Sequence, residues 1–214
     1  MLIIIANMIE IEKKFKLNQE EKERLLIGAD FLGEKIFTDV YFDTADFTLT
    51  KNDIWLRRRG NSLELKLPIY QAEKKEATQY QEITGEEKIR EIFAVAPVLD
   101  FENDIKVFGY EAFCKLKTVR KEHLKSGFII DFDKTTSDIQ GEQDFNYQIV
   151  EIELLVENIN EILSANKKIE KFAKINNLKF ERIRGKVAEY LSQKRPTHFK
   201  ALVEAGVVEV ASGA

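Results

Sequence analysis

Three carboxylate pairs spaced two residues apart fall on runs that we predict to be strands: Glu10 and Glu12, Asp131 and Asp133, and Glu151 and Glu153. Residues two apart on a β-strand point to the same side, so each pair presents oxygen ligands in one direction. Ligands of this kind suit Mg²⁺ or Mn²⁺. Without a cation, converging carboxylates raise each other's pKa values and destabilise the fold, so we expect a divalent metal where they meet.

Basic residues form the second candidate set. Arg57 and Arg59 share a strand face with Trp55, and Lys66 and Arg120 continue the basic series on later strands. Like charges at this spacing repel unless an anion lies between them, and two guanidinium groups form a good fork for phosphate. The pattern therefore favours a polyphosphate ligand.

Trp55 has two interpretations that the sequence leaves open. On the same face as Arg57, its ring could stack on a positively charged ring. Alternatively, the ring plugs the end of a barrel or contacts a helix.

Other catalytic chemistries find little support. The only histidines are His123, interpreted as a surface residue, and His198, near a predicted helix start. Cys114 is the only cysteine, which excludes a disulfide framework and a thiolate metal site and makes the cytoplasm the simplest expectation. A glycine-rich phosphate loop is absent, so side chains would have to bind phosphate.

Two-residue alternation of apolar and charged residues positions these groups on strands. The clearest runs cover residues 8–17, 35–44, 53–60, 62–68, 78–83, 113–123, 126–133 and 145–156. Gly60-Asn61 and Lys125-Ser126-Gly127 link two pairs of runs as predicted antiparallel hairpins.

Helical patterns lie between and after the strands. Asn18 can cap a helix to about Ile27, and further helices are predicted over 85–93, within 95–109, and over 158–176, 182–193 and 197–203. About eight antiparallel strands with four to six helices predict an α+β fold, a barrel with helices packed outside.

Length and charge limit the remaining possibilities. The 214 residues fit one domain, which we place at 8–203 with terminal extensions at 1–7 and 204–214. A net charge of −4 argues against a nucleic-acid-binding surface. The apolar opening from Leu2 to Ala6 is too short for a signal peptide or a membrane span, so no membrane partner is expected. Translation could start at Met1 or Met8. We expect a monomer.

Taken in order, these motifs resemble the CYTH superfamily, the triphosphate tunnel metalloenzymes. Residues 10–15 read as the E-x-E-x-K motif that opens these proteins. Further matching motifs follow along the chain: Tyr41-Phe42-Asp43-Thr44, Trp55-Leu56-Arg57-Arg58-Arg59, Glu64-Leu65-Lys66, Tyr80-Gln81-Glu82, Arg120, Asp131-Phe132-Asp133, Glu151-Ile152-Glu153, Lys186, Tyr190-Leu191 and Arg195-Pro196. The sequence is most similar to the thiamine triphosphatase branch, through the tryptophan before the arginine triplet and the late Lys-to-Arg-Pro stretch.

The resemblance implies a closed eight-stranded tunnel that binds a small triphosphate. Its substrate-binding residues would be Lys14, Trp55, Arg57, Arg59, Lys66, Arg120 and Lys186. Its Mg²⁺ ligands, with Mn²⁺ as an alternative metal, would be Glu10, Glu12, Asp131, Glu151 and Glu153. A metal-bound water is expected to attack, with Lys66 and Glu82 as candidate assistants.

The implied reaction is removal of the terminal phosphate of thiamine triphosphate, whose thiazolium ring would stack on Trp55. Three alternatives share the tunnel: an inorganic triphosphatase, a nucleoside triphosphatase and a class IV adenylate cyclase. A non-catalytic polyphosphate-binding module is the alternative from another class, and the acidic residues argue against it because a binder needs only the bases.

Overall fold

Eight antiparallel strands close into a barrel in the computed structural model, which describes residues 9–69 and 78–209. The strands are β1 (Ile9–Phe15), β2 (Asp30–Thr44), β3 (Trp55–Arg59), β4 (Ser62–Pro68), β5 (Thr78–Thr84), β6 (Tyr110–Lys125), β7 (Phe128–Ser137) and β8 (Asn146–Val156). Around the barrel their order is β1-β5-β4-β3-β2-β6-β7-β8. The predicted closed α+β barrel is confirmed. Met8 and the predicted extension 1–7 lie outside the described residues.

Six helices accompany the barrel among the described residues. They are α1 (Gln19–Leu26), α2 (Glu86–Phe93), α3 (Phe101–Lys106), α4 (Ile162–Ile175), α5 (Lys186–Lys194) and α6 (Pro196–Glu204). Short 3-10 turns cover Thr50–Asn52 and Ile159–Glu161. No helix in the described part of the chain is long and apolar enough to cross a membrane.

Local sequence signals explain several of these boundaries. The Asn18 side chain accepts from the Glu21 amide, and the Glu21 carboxylate accepts from the Asn18 amide, so a capping box starts α1. Between β6 and β7, Ser126 and Gly127 both have positive φ angles, as a tight two-residue hairpin turn requires. Both predicted hairpins are confirmed.

Helices cover two parts of the outer wall. On one side α4 packs on β1, β7 and β8, burying Ile11, Ile152 and Ile169 completely. On another side α2 packs on β4 and β5 and α3 packs on β6, around a core that includes Leu56 and Leu65. Because these residues alternate with the charged ones, burial of the apolar face outside turns the charged face inward.

The last two helices pack differently. Residues of α5 and α6, including Tyr190 and Leu202, join a core with Tyr41, Leu116 and Ile149. These three strand residues share the parity of the inward charged residues, so α5 and α6 pack against the inside of the barrel. The predicted barrel with helices packed outside is confirmed by α2, α3 and α4, and the α5–α6 pair is an addition to it.

Several element boundaries differ from the sequence prediction, among them the starts of β2 and α5. Strand β2 begins at Asp30 rather than at residue 35, because an irregularity in its pairing with β6 between Phe31 and Gly33 interrupts the alternation. Helix α5 begins at Lys186 rather than at residue 182, with Gly185 as its N-cap residue.

Candidate functional site

The inner wall of the barrel brings together the residues that the sequence singled out. Alternation along β1, β3, β4, β6, β7 and β8 aims one face of each strand inward, and α5 adds a lysine at its first position. The residues gathered there are Glu10, Glu12, Lys14, Trp55, Arg57, Arg59, Lys66, Arg120, Asp131, Glu151, Glu153 and Lys186.

Arg120 of β6 lies among the acids of β7 and β8. Its Nε and Nη2 donate to the two carboxylate oxygens of Asp133, both at 2.7 Å, and Nη2 also donates to Glu151 at 2.8 Å. Asp131 is a third ion-pair partner. The candidate acids and bases are therefore intermixed in this part of the wall.

The lysines of β1 and β4 also pair with wall carboxylates. Lys66 Nζ lies 2.6 Å from a carboxylate oxygen of Glu10 and 2.7 Å from one of Glu82. Burial alone would lower the pKa of Lys66, but Glu10 and Glu12 outweigh it and raise the pKa above its ordinary value. Lys14 Nζ donates a hydrogen bond to the Glu12 carboxylate and lies 3.8 Å from a carboxylate oxygen of Glu151. Both lysines therefore stay charged.

Asp39 of β2 holds two cations together. Arg59 donates to both of its carboxylate oxygens, at 2.7 and 3.0 Å, and Lys186 Nζ donates to one of them at 2.7 Å. Asp39 is fully buried, and these cations hold its pKa far below the usual range despite burial. Sequence reasoning missed Asp39. Asp39 alternates with the apolar Val40, which indicates an inward charged face. The aromatic residues Phe37 and Tyr41 share the face of Asp39 and made that face look apolar in the sequence.

Phe37 is a second residue that sequence reasoning missed. Its ring centroid lies 4.0 Å from the Arg59 guanidinium carbon, 5.1 Å from Lys186 Nζ and 5.7 Å from the Arg120 guanidinium carbon. The face of an aromatic ring attracts cations. Phe37 therefore helps to keep three positive groups close to one another.

With Asp39, Glu64, Glu82 and Asp133 included, carboxylates outnumber cations on the described wall. Two groups of carboxylates could hold a metal ion. Glu10, Glu12 and Glu153 form one group, and Asp131, Glu151 and Glu153 form the other, with ligand atoms within 4.8 Å of one another. Glu153 belongs to both. In the described part of the chain, Oδ1 of Asp131 is buried without a hydrogen-bond partner.

The pKa values of two acids reflect this crowding. Burial raises the pKa of Asp131 to about 7, and Asp133 and Glu151 add to the rise while Arg120 opposes it. Burial also raises the pKa of Glu153 well above its usual range, with help from Glu10 and Glu151. A divalent cation would remove both the repulsion and the unpaired oxygen, so these residues fit a metal.

An aromatic pair lies beside the basic residues. Trp55 Nε1 donates to Oδ1 of Asp53 at 3.0 Å, and the Tyr80 hydroxyl donates to the same oxygen at 2.6 Å. Lys66 Nζ lies 5.8 Å from the centroid of the Tyr80 ring. Trp55 is half-buried against the core of α5 and α6, so both interpretations of this residue, stacking surface and packing residue, are compatible with its position.

The two histidines lie outside this wall. Half-buried His123 contacts the rings of Phe31 and Phe132. His198 is buried, stacks on Phe47 at 3.9 Å and lies 2.7 Å from the Thr50 hydroxyl. The free thiol of Cys114 is also buried, and its pKa is raised by burial. The contacts of His123 and His198 are packing contacts away from the charged wall, and Cys114 is a buried packing residue.

Comparison with known proteins fits this geometry. The CYTH domain profile matches residues 8–195, which is most of the chain. The chain belongs to the CYTH family. The resemblance drawn from the sequence motifs is thereby confirmed. A thiamine-triphosphatase of Macaca fascicularis is 27% identical to this CYTH protein, over 92% of the chain and 90% of the relative.

Solved structures show the same fold. A protein of Pyrococcus horikoshii OT3 superposes with a TM-score of 0.58 at 21% identity, covering 86% of this chain and 99% of the other. A proposed adenylyl cyclase from Hippeastrum, reported to have a dominant triphosphatase activity, superposes with a TM-score of 0.56 at 18% identity, covering 87% and 96%. At these identities the similarity shows a shared fold.

Proposed function

We propose that this CYTH protein is a metal-dependent hydrolase that removes the terminal phosphate of thiamine triphosphate. The observation that carries the proposal is the inner wall, where buried carboxylates that fit a metal adjoin converging cations. The similarity to a thiamine-triphosphatase over nearly the whole chain supports the choice of substrate.

The metal would be Mg²⁺, with Mn²⁺ as an alternative, because all candidate ligands are carboxylate oxygens. They are Glu10, Glu12, Asp131, Glu151 and Glu153. When bound, a divalent cation would neutralise negative charge on the phosphate oxygens.

The cations of the wall would bind the triphosphate by exchanging partners. Arg57 pairs with Glu64 at 2.6 Å, and Arg59 and Lys186 pair with Asp39. A triphosphate offers these donors oxygens in place of the carboxylates, and cations fixed before binding stabilise charge that develops on the transferring phosphate. Lys14, Lys66 and Arg120 complete the proposed set.

Glu82 would assist the attack of water. Burial alone would raise its pKa, but Lys66 and Arg57 outweigh it and hold the pKa below the ordinary value. The carboxylate therefore stays ionised at neutral pH, where it can orient a water or accept a proton. Lys66, 2.7 Å away, can bind a phosphate oxygen at the same time.

A substrate panel tests the proposal. Phosphate release is measured from thiamine triphosphate, inorganic triphosphate and ATP, with Mg²⁺, with Mn²⁺ and with EDTA. We expect the highest kcat/KM for thiamine triphosphate and no release with EDTA. Preference for inorganic triphosphate or ATP would instead identify the corresponding phosphatase, and cyclic AMP formation would identify a cyclase. Tight triphosphate binding without phosphate release would identify a binding module.

Trp55→Ala addresses the substrate directly. If the ring stacks on the thiazolium, the variant loses activity on thiamine triphosphate and retains much more on inorganic triphosphate. Equal losses on both substrates would mean that Trp55 only packs against the α5–α6 core.

A further inference from the structure

One carboxylate oxygen of Asp53 organises the aromatic pair. It accepts hydrogen bonds from the indole of Trp55, at 3.0 Å, and from the hydroxyl of Tyr80, at 2.6 Å. Asp53 is itself buried and directly follows the Thr50–Asn52 turn. Its amide donates to the Thr50 carbonyl at 3.0 Å, and its φ angle is 59°. Both the backbone and the side chain of Asp53 are therefore fixed.

We infer that Asp53 is a positioning residue that makes this aromatic pair selective for a positively charged ring at the organic end of the substrate. The inference rests on the proposed function and adds to it the residue that would make the site distinguish a triphosphate with a cationic heterocycle from other triphosphates. A triphosphate with a neutral base, or one without an organic group, would gain less binding affinity from the same site.

The selectivity follows from the charge of the carboxylate. An indole that donates its N–H to an anion becomes more electron-rich, so its ring face attracts a cation more strongly. The carboxylate also adds a negative charge behind both rings, in a partly buried place where charges are poorly screened. These effects favour a cationic ring over a neutral one of similar shape.

Lys66 does not cancel this preference. Its ammonium lies 5.8 Å from the Tyr80 centroid, which alone would repel a cationic ring. However, it is paired with Glu10 and Glu82 at 2.6 and 2.7 Å, so its charge is compensated. Lys66 is the neighbour of Trp55 across β3 and β4, so one of the proposed phosphate-binding cations lies next to the aromatic pair.

Asp53→Asn is the most direct test. An asparagine keeps an oxygen that can accept from Trp55 and Tyr80, and it tolerates a positive φ angle better than alanine does. The change therefore removes the charge while leaving the geometry. Asp46→Asn is the matched control, because Asp46 is an exposed aspartate in the same connection between β2 and β3.

Affinities are measured by calorimetry for two probes that share a diphosphate, thiamine diphosphate with a cationic ring and ADP with a neutral base. In Asp53→Asn we expect thiamine diphosphate to bind about 3- to 10-fold more weakly, with less than about a 2-fold change for ADP. Trp55 is the only tryptophan of the chain, so its fluorescence should be quenched by thiamine diphosphate in the wild type and less so in the variant.

The outcome separates this inference from the proposed function. Equal weakening of both probes, or no weakening of either, would overturn the role of Asp53, as would a wild type that binds ADP as tightly as thiamine diphosphate. The proposed function fails separately, if the wild type prefers another triphosphate in the phosphate-release panel. Cation-selective binding could persist in that case, because it is read at equilibrium from the diphosphates.

Discussion

Arg57 and Arg58 are neighbours in sequence on opposite faces of β3. Arg57 is buried on the inner wall beside Glu64 and Tyr41, whereas Arg58 faces outward and pairs with Glu102. We expect Arg57→Ala to lower kcat/KM by about 30- to 1,000-fold, or about 2–4 kcal/mol, because a buried charged donor to the phosphates is lost. Steady-state phosphate release is the measurement.

Arg58→Ala is the matched control for this prediction. Its partly exposed ion pair contributes at most about 1 kcal/mol, and only to stability. Similar losses of kcat/KM in the two variants would show that the inner face of β3 has no special part in catalysis.

His198 gives a pH-dependent prediction at the same scale. Burial lowers the pKa of His198 to about 4, with Asp43 opposing the shift. The Thr50 hydroxyl donates to Asp43 at 2.6 Å, so it must accept its 2.7 Å bond from His198 Nε2–H. The low pKa keeps the ring neutral at pH 7, and the Nε2–H bond anchors α6 to the Thr50–Asn52 turn.

The sign of the effect follows from proton binding. Between the ordinary histidine pKa of about 6.5 and the folded value, the unfolded chain binds a proton that the folded chain does not, so stability falls as pH falls through this window. We measure the free energy of unfolding in urea at pH 7.5 and at pH 5. Its decrease between these pH values should be about 2 kcal/mol larger for the wild type than for His198→Gln. Identical losses would contradict the assignment.

At the scale of elements, α4 supports the acidic strands from outside. Ile169 of α4 is fully buried against β1 and β8, whose inward faces carry the candidate metal ligands. We expect Ile169→Ala to lower the free energy of urea unfolding by about 2–5 kcal/mol, because a cavity forms in this core. Leu163 lies on the same helix but is 57% exposed, so Leu163→Ala should lower the free energy of unfolding by less than about 0.5 kcal/mol. Comparable costs would mean that α4 packs differently.

The elements also show why sequence predicted part of the site and missed the rest. Glu10, Arg57 and Glu151 were found because strict alternation along one strand is a local signal. The bond network of Asp53 was not, because β3 and β5 are separated by β4 and only the closed barrel brings Tyr80 to Asp53. Lys186 followed from the motif resemblance alone, since helical periodicity places no residue of α5 inside a barrel.

At the scale of the whole molecule, the barrel concentrates negative charge. Carboxylates outnumber cations on the described inner wall, and Glu153 belongs to both candidate metal groups. The fold therefore carries a repulsion that a bound cation would relieve. A single domain over 8–203 and a monomeric state stay predictions, which one cooperative unfolding transition and the mass in solution would check.

The charge excess predicts that Mg²⁺ stabilises the whole protein. A ligand that binds only the folded state adds about 2.7 kcal/mol at one hundred times its Kd, which corresponds to a rise in Tm of about 5–10 °C for a chain of this size. Thermal unfolding with EDTA and with increasing Mg²⁺ measures the shift. An unchanged Tm across the titration would count against a metal on the wall.

Glu153→Gln separates the metal from general ionic effects. Removing the acid shared by both groups should raise the stability of the metal-free protein by about 1 kcal/mol, because like charges are no longer forced together, and should abolish most of the Mg²⁺-dependent rise in Tm. Glu157→Gln, an exposed glutamate just beyond β8, should leave both quantities unchanged. If Glu153→Gln destabilised the metal-free protein while keeping the full Mg²⁺ response, the metal would have to bind elsewhere, and the wall carboxylates would serve only to hold the basic side chains in place.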